Sequence, residues 1–356
     1  MDYITILEAS GKWRLSQQQV QNLCVLGLVE GAARVGRAWK IPKNAEKPIF
    51  KKPRRANKKD IDVPLPLVSG TSSFLHIFNT YTAPGTADQV IQSLAYQPEA
   101  QGLFAAMIAY ERGEIDSVRD YAKRLISSDS GFYSLNARNV LLMLVAIWEG
   151  DVSLYRETKV NMRGVQWKTP EEKQMWELSI ACIDSRLQAP SIESYPEWFR
   201  HGRFEHLSPD FLPYAYVCYI KFLIIAAHDS KGDSFSFGVS GTELMRIIPY
   251  VAEPLLARAV ADKQVISEIY LRLLVASVYH HLGEDEHAIP HIDKAIELAL
   301  PDHLLGILAE HRRGLSDLLD ERLFITNPEA FERYKELHKG FLEGWSKLYN
   351  TLFPLT

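Results

Sequence analysis

Apolar residues recur along most of this chain at the spacing of amphipathic helices. From about Phe74 onward almost every stretch carries such a stripe, and the alternating pattern of strands is scarce. Three stretches share one arrangement, in which an apolar helix leads through a turn with a glycine and an acid into a second amphipathic helix. These stretches are Leu103–Ser127, Asn139–Met162 and Glu268–Leu300. The pattern predicts a mainly α-helical region built from helix pairs.

The turns of the first two stretches set the length of the repeat. Gly113 and Gly150 lie 37 residues apart, close to the ~34-residue period of tetratricopeptide (TPR) repeats. In the third stretch, the small residues Ala288 and Ala295 let neighbouring helices approach closely. Stacked helix pairs bury a continuous core and leave a concave face. We therefore predict a TPR-like α-helical solenoid over residues 74–352.

Two short helices are predicted before Gly27. Thr5 caps the first helix in a capping box with Glu8, and Ser16 caps the second. The second helix carries one apolar stripe, formed by Val20, Leu23 and Cys24. Two helices joined by so tight a turn predict a helix-turn-helix, whose second helix is the one able to enter the major groove of DNA.

After Gly27 the apolar period shortens to about two. The apolar positions are Leu28, Val29, Ala33, Val35, Trp39 and Ile41. Gly36 marks a turn, and Pro42 closes the segment. We therefore predict a β-ribbon, or wing, that completes a winged helix-turn-helix over residues 1–48, with Trp39 holding the ribbon against the helices.

Charge divides the chain in nearly the same place. Residues 1–60 hold 13 Lys and Arg against 5 Asp and Glu, whereas the remaining residues hold 27 against 39. Residues 49–73 are rich in Lys, Arg and Pro and lack an amphipathic period, so they are predicted to form a linker. The linker cations either add sequence-independent affinity for DNA or keep the linker solvated. Halves of opposite charge indicate a nucleic-acid-binding end joined to a different domain.

The polar face of the second helix and the cations of the wing are the candidate DNA contacts. Side-chain amides can pair at two points with an adenine edge, and Lys and Arg bind phosphates. The amides on the helix are Gln17, Gln18, Gln21 and Asn22. The cations on the wing and directly after it are Arg34, Arg37, Lys40, Lys43 and Lys47. These residues predict binding to double-stranded DNA; the alternatives are a merely solvated polar face or a small winged fold used for protein contacts.

The segment from Tyr3 to Pro48 also carries a recognisable motif. Its second half, GLVEGAARVGRAWKIPKNAEKP, has the pattern GxxxGAxxxGRxWxIPxxAxKP. This segment resembles the excisionase-type, MerR-related winged helix-turn-helix of bacterial DNA-binding proteins. The resemblance implies DNA contact from the second helix and the wing. The matching positions are Ser16, Gln17, Gln18, Gln21 and Asn22 on the helix and Arg34, Arg37 and Lys40 on the wing.

A second resemblance covers residues 262–352, from DKQVISEIYLRLLVASVYHHLGEDEHAIPHIDKAIELAL to GWSKLYNTLF. This region is similar to the helical repeats that precede the C-terminal helix-turn-helix of LuxR-type, maltose-activator-like transcriptional regulators. In that family a segment opening with LTxRE follows, whereas this sequence ends at Thr356 without it. The resemblance therefore leaves open whether the chain lacks this second DNA-binding head or belongs to a longer molecule.

Other candidate chemistry is weak. His287 and His291 are four residues apart on a predicted helix, but Pro290 lies between them, so we expect solvated or packing histidines and no metal. The cysteines Cys24, Cys182 and Cys218 indicate neither a disulfide framework nor a zinc knuckle and are expected to be small buried residues. Neither a catalytic set nor a phosphate-binding Gly-rich loop stands out. We expect no enzyme and no cofactor.

Aromatic residues are dense from Trp167 to Phe237, with Arg200, His201, Arg203 and His206 among them. On a concave repeat surface, such a segment could hold a sugar, a peptide or another small effector. More often such aromatic side chains form core, since they bury large areas. The effector remains one of the predicted partners, together with a second copy of the chain in a homodimer.

The predictions combine into a DNA-binding transcriptional regulator, with the helical repeats sensing an effector or forming oligomers. The first residues lack the pattern of a signal peptide, and the apolar runs are too short to span a bilayer. We therefore expect a cytoplasmic protein without a membrane partner. The alternative from another class is a non-enzymatic interaction scaffold built on the repeats. A third hypothesis is an architectural recombination factor. The long repeat region argues against it, because such factors need little beyond the DNA-binding module.

Overall fold

The fold was analysed from a computed structural model of the chain. It describes residues 2–17, 20–21, 24, 29, 31–35, 38–47, 81–128, 131–164, 170–188, 194–204, 207, 211–228 and 239–354. The chain divides into two compact units, Met1–Asp62 and Val63–Thr356. The predicted linker, 49–73, lies outside the described residues.

The first unit, which we call the N-terminal unit, contains a small antiparallel sheet. Strand β1 (Tyr3–Ile4), helix α1 (Ile6–Trp13), strand β2 (Ala33–Val35) and strand β3 (Ala38–Pro42) follow one another along the chain. The strand order is β1-β3-β2, so β3 is central. The ribbon of β2 and β3 was predicted from its period of two. The prediction extended the strand pattern back to Leu28 and Val29, but Val29 lies in a bend outside β2, and β1 was missed.

Helix α1 begins and ends where its sequence dictates. Thr5 and Glu8 form the predicted capping box, in which the Thr5 amide donates to Glu8 Oε2 at 2.7 Å. Arg14 ends the helix in the left-handed conformation, with φ 53°. Lys47 Nζ then donates to the carbonyl oxygen of Trp13 at 3.0 Å. A cation at the C-terminal end of a helix also interacts favourably with the helix dipole, so Lys47 stabilises α1.

The predicted second helix is described in part. Gln17, Val20, Gln21 and Cys24 are helical. Val20 and Cys24 are buried with Trp13 and Ile41 in a small apolar core, whereas Gln17 and Gln21 face solvent. One side of this segment is therefore apolar and packed, as its sequence predicts, and the other side is free for polar contacts.

The second unit, which we call the helical unit, consists of helices. Their bounds are α2 (Ala87–Ser93), α3 (Pro98–Arg112), α4 (Ile115–Ile126), α5 (Gly131–Asn136), a π-helical segment (Ala137–Leu141), α6 (Leu142–Glu149), α7 (Val152–Arg163), α8 (Pro170–Leu187), α9 (Glu197–Arg200), α10 (Leu212–His228), α11 (Gly241–Ala261), α12 (Val265–His281), α13 (Asp285–Ala299), a 3-10 turn (Leu300–Asp302), α14 (Leu305–Thr326) and α15 (Pro328–Leu352). The chain is thus mainly helical with a small three-stranded sheet, which confirms the fold class at this level.

The three predicted helix pairs are present. They are α3 with α4, α6 with α7, and α12 with α13. Gly113 and Gly150 close α3 and α6 in the left-handed conformation, with φ 78° and 65°. Each turn needs this backbone shape, which glycine adopts without steric cost. The pairs pack on their sequence neighbours, as stacked repeats do; their membership of the TPR type stays a prediction.

The last helices also pack on the first ones. Helix α14 contacts α3, and α15 contacts α6. A Cβ on Gly306 would lie 2.7 Å from the carbonyl oxygens of Tyr110 and Glu111, and one on Gly344 would overlap the carbonyl oxygen of Trp148. In an open solenoid each repeat contacts only its neighbours. Here the late helices α14 and α15 contact the early helices α3 and α6 instead. The sequence did not predict these contacts.

The core of the helical unit is continuous across these helices. Within the described ranges, no helix is both long enough and apolar enough to cross a membrane.

Candidate functional site

The cations of the wing lie on both faces of the ribbon. Arg34 pairs across the strands with Trp39, and Ala33 pairs with Lys40. Directly opposed residues share a face and neighbours alternate, so Arg34 is on the face of Trp39 and Lys40 is on the other. Both cations are exposed, and among the described residues neither makes an ion pair. The ribbon therefore presents positive charge in two directions.

The cations that follow the wing have partners in the N-terminal unit. Lys43 is exposed and lies 3.8 Å from a carboxylate oxygen of Asp2. Lys12 Nζ donates to the carbonyl oxygens of Lys43 and Ala45 at 2.7 and 3.0 Å. Lys47 was expected to face DNA, but its ammonium group caps α1. Fewer cations of the wing and the residues after it are therefore free of partners than their number in the sequence suggests.

The predicted base-reading residues fall partly within the described structure. Gln17 and Gln21 are exposed one helical turn apart, and Ser16 is exposed where the segment begins. The carbonyl oxygen of Ser16 accepts the amide of Val20 at 3.1 Å, as expected at a helix start. The predicted contacts Gln18, Asn22 and Arg37 lie outside the described residues.

A buried network of ionisable side chains occupies the helical unit. Its members come from α3, α8, α10, α12 and α14 and are Tyr110, Glu111, Arg186, Tyr214, Lys221, Tyr270, Glu310 and His311. Arg186 is the hub. Its Nη1 donates to both carboxylate oxygens of Glu310 at 2.8 and 3.0 Å, and its Nη2 donates to Tyr270 Oη at 2.9 Å. Tyr270 in turn donates to Glu111 at 2.9 Å.

Burial and neighbouring charges shift the protonation of this network. Burial raises the pKa of Glu111 to about 7, although Arg186 opposes the rise. Burial also opposes ionisation of Glu310, but Arg186 and Lys221 outweigh it and hold the pKa of Glu310 below its usual value. Burial, assisted by Arg186, lowers the pKa of Lys221 to about 8. Lys221 and Arg186 share Glu310, which lies 3.9 Å from the Lys221 ammonium nitrogen and 2.8 Å from Arg186 Nη1.

A cavity of about 780 Å³ opens beside this network. Four of its lining side chains, which we call the floor, belong to the network: Arg186, Lys221, Glu310 and His311. Burial lowers the pKa of His311 to about 3, so this histidine stays neutral. The apolar lining includes Leu274, Val278, Phe341 and Trp345. The volume is within the ~300–1,000 Å³ typical of small-molecule sites.

Exposed residues surround the opening of the cavity, which we call the mouth. They include His228, His281, Arg313 and Ser316. Arg313 lies over the ring of Trp345, with its guanidinium carbon 4.3 Å from the ring centre, and donates to Gln188 Oε1 at 3.2 Å. Ser316 interrupts α14 with a φ of 44°, a conformation that serine rarely adopts. Such strain persists only where the surrounding structure imposes it, and it is concentrated at functional sites.

The sequence left two roles open for the aromatic segment, an effector site or part of the core, and the structure distinguishes between them. Tyr195, Phe199, Phe204 and Phe222 are buried and pack on one another, for example Phe199 on Phe204 with ring centres 6.0 Å apart. These aromatic residues form core. The cavity takes different residues from the same segment, namely Ser185, Arg186, Gln188, Lys221, Ile224, Ile225 and His228. Charged residues within otherwise apolar helices, such as Lys221 in YIKFLIIAA, were the available signal.

The other candidate sites resolve as follows. Pro290 does not interrupt α13, contrary to the prediction; His287 lies 3.5 Å from Glu284, and His291 lies 3.4 Å from Glu253. Over the described part of the chain, no group of three or more His, Cys, Asp and Glu is arranged to hold a metal ion.

The cysteines are buried, as predicted, but their pairing was not foreseen. Cys182 and Cys218 form a disulfide with their Cα atoms 5.2 Å apart, whereas Cys24 is free. The disulfide joins α8 to α10, the helices that supply Arg186 and Lys221 to the cavity floor.

The molecule thus offers an exposed basic ribbon in one unit and a charged cavity in the other. Comparison with protein-family models and with curated proteins gives no match for this chain.

Proposed function

We propose that the protein is a cytoplasmic, DNA-binding transcriptional regulator of bacterial type. The N-terminal unit binds double-stranded DNA as a winged helix-turn-helix, and the helical unit senses an effector or forms a homodimer. The observation that carries this proposal is the exposure of Arg34 and Lys40 on the ribbon without acidic partners among the described residues. Cations that were paired with acidic side chains would attract a polyanion much less strongly.

The placement of the exposed amides supports the same proposal. Gln17 and Gln21 face solvent on a segment whose other side, Val20 and Cys24, is packed against α1 and β3. A helix held in this way presents amides to base edges, while the wing cations bind the phosphates that flank them. In this arrangement Gln17 and Gln21 read sequence, whereas Arg34, Lys40 and Lys43 supply affinity.

The electrostatic part of the proposal has a direct test. The full chain is titrated onto a random-sequence duplex at several salt concentrations by fluorescence anisotropy. Each lost phosphate contact lowers the slope of log K against log salt by about 1. We expect Arg34→Ala and Lys40→Ala each to weaken binding and flatten the slope by this amount. The double variant should lose about 2.

A matched control separates ribbon contacts from net charge. Lys123→Ala removes an exposed cation from α4 of the helical unit, where it lies 3.5 Å from Asp120. This variant should bind DNA with the slope of the parent protein. If the full chain forms no salt-sensitive complex, or if Lys123→Ala acts like Arg34→Ala, the DNA-binding proposal is wrong and the interaction scaffold becomes the better explanation.

A further inference from the structure

The cavity of the helical unit has an excess of positive charge. The charged side chains that line it are Arg186, Lys221, Arg313 and Glu310. Glu310 accepts from Arg186 at 2.8 Å and also lies 3.9 Å from Lys221, so two buried cations share the one carboxylate in the lining. A second carboxylate, Glu111, lies outside the lining, 3.9 Å from Arg186. Two cations, Lys221 at the floor and Arg313 at the mouth, remain incompletely neutralised. Buried charges are stable only when they are paired, so this lining favours an anion.

Lys221 illustrates the imbalance at the floor. Its side chain is 12% exposed, and its ammonium nitrogen lies 3.9 Å from Glu310 and 4.7 Å from the ring centre of Tyr270. A ring face attracts a cation, but it does not neutralise the charge. Burial lowers the pKa of Lys221 to about 8 and the nearby Arg186 lowers it further, although Glu310 and Glu111 oppose both effects.

The mouth shows the same excess. Arg313 rests on Trp345 and bonds to the neutral amide of Gln188, and no carboxylate partner for it occurs within the described ranges. His228 stacks edge-on against His281 with ring centres 4.8 Å apart. Partial burial lowers the pKa of His228, and the positive neighbours His281 and Arg313 lower it further. Positive potential therefore extends from the floor to the mouth.

The remaining walls are apolar. Leu274, Val278, Phe341 and Trp345 line the cavity between the charged groups. Such surfaces bury the hydrocarbon part of a ligand, while a few polar groups fix its orientation. The cavity thus suits a molecule with an anionic group at one place and an apolar body at another.

We propose that this cavity binds a small organic anion with an apolar body, whose carboxylate or phosphate group is held by Lys221 at the floor, while Arg313 at the mouth adds positive potential. The ligand supplies a further negative charge to the two buried cations, Arg186 and Lys221, that share Glu310. Binding ties α10, which carries Lys221, to α14, which carries Arg313 and the strained Ser316. The inference gives the effector role in the proposed function a site and a ligand class, but it can be tested whether or not the N-terminal unit binds DNA.

Isothermal titration calorimetry of the full chain tests the proposal with four probes. Phenylacetate and phenyl phosphate carry an anionic group on an apolar ring. Phenylacetamide keeps the ring without the charge, and inorganic phosphate keeps the charge without the ring. We expect at least one of the two aromatic anions to bind about tenfold more tightly than both phenylacetamide and inorganic phosphate, a difference of about 1.4 kcal/mol.

Variants locate the binding group. Lys221→Met should weaken the tighter anion about tenfold and Arg313→Gln severalfold, while phenylacetamide binding stays unchanged. Matched changes at cations away from the cavity, the half-buried Lys294→Met and the exposed Arg258→Gln, should leave every affinity as in the parent protein. Thermal unfolding of each variant, recorded by circular dichroism, verifies that it is folded.

Three outcomes would overturn the proposal. They are equal affinity for phenylacetate, phenyl phosphate and phenylacetamide, no binding of either aromatic anion at millimolar concentration, and unchanged anion affinity in folded Lys221→Met. Loss of DNA binding in the ribbon variants would not bear on it, because those residues belong to the other unit.

Discussion

The two units handle positive charge in opposite ways. In the N-terminal unit, Arg34 and Lys40 stand exposed on a ribbon and make no ion pair among the described residues. In the helical unit, Arg186 is 8% exposed and bonds to groups on three other helices. An exposed charge costs little and is available to a partner, whereas a buried charge is held in place by the groups that compensate it. The position of a charge therefore separates a binding role from a structural one.

Removing the hub of the buried network should have the largest effect. Arg186→Met leaves Glu310 and Glu111 without their main counter-charge. We expect a loss of about 3–5 kcal/mol in unfolding free energy, because breaking a buried pair leaves an uncompensated charge. Urea denaturation followed by far-ultraviolet circular dichroism reports on the helical unit.

An exposed arginine supplies the control for this variant. Arg333→Met on α15 should change the stability of the helical unit by no more than about 0.5 kcal/mol. If Arg333→Met were as destabilising as Arg186→Met, burial of the charge would not explain the effect, and the contrast between exposed and buried cations would be lost.

The next effect concerns the joined ends of the helical series. Gly344→Ala introduces a methyl group where α15 meets the backbone at Trp148. Overpacking should cost about 1–3 kcal/mol. Gly340 lies one helical turn earlier with no atom within 4 Å of a Cβ, so Gly340→Ala is the matched control. It should be neutral or stabilising, since alanine favours helices; equal destabilisation by both would refute the close approach.

The smallest of these effects is a pH dependence at Glu111. Its pKa is raised from 4.5 to about 7 in the folded chain, so the folded state keeps a proton that the unfolded state has lost. Wild-type stability should therefore fall as pH rises from 4.5 to about 7 and change no further from this source.

Replacing Glu111 by Gln removes this titration. The stability of Glu111→Gln relative to the parent protein should rise across this range by about 1 kcal/mol or more. Urea midpoints at several pH values measure the difference, with exposed Glu343→Gln as the control. A difference that is constant with pH would mean that Glu111 is ionised throughout.

Local features of this fold could be predicted from sequence, because short-range chemistry dictates them. The capping box of Thr5 and Glu8, the period of two in the ribbon and the turn glycines Gly113 and Gly150 each involve residues close together in the chain. The amphipathic stripe that buries Val20 belongs to the same class.

Features that join distant residues were missed. The contact of α14 with α3 depends on the sum of many turn and packing angles, which no local pattern encodes. The cavity floor collects Arg186, Lys221 and Glu310 from separate helices, and the disulfide of Cys182 and Cys218 spans 36 residues. Within its own helix, none of these residues shows which distant residues it will contact. Pro290 was expected to interrupt its helix, but α13 continues through it.

The meeting of the first and last helices has a consequence for how such a molecule can grow. Linear repeat arrays lengthen by duplicating a unit, because each added pair finds one compatible neighbour at the free end. Here Gly306 and Gly344 fit the backbone of α3 and the end of α6, so helices far apart in the sequence depend on one spacing. Insertion of another pair between them would force these glycine contacts apart. Evolution of this part of the fold is therefore expected to change side chains and to keep the number of helices from α3 to α15.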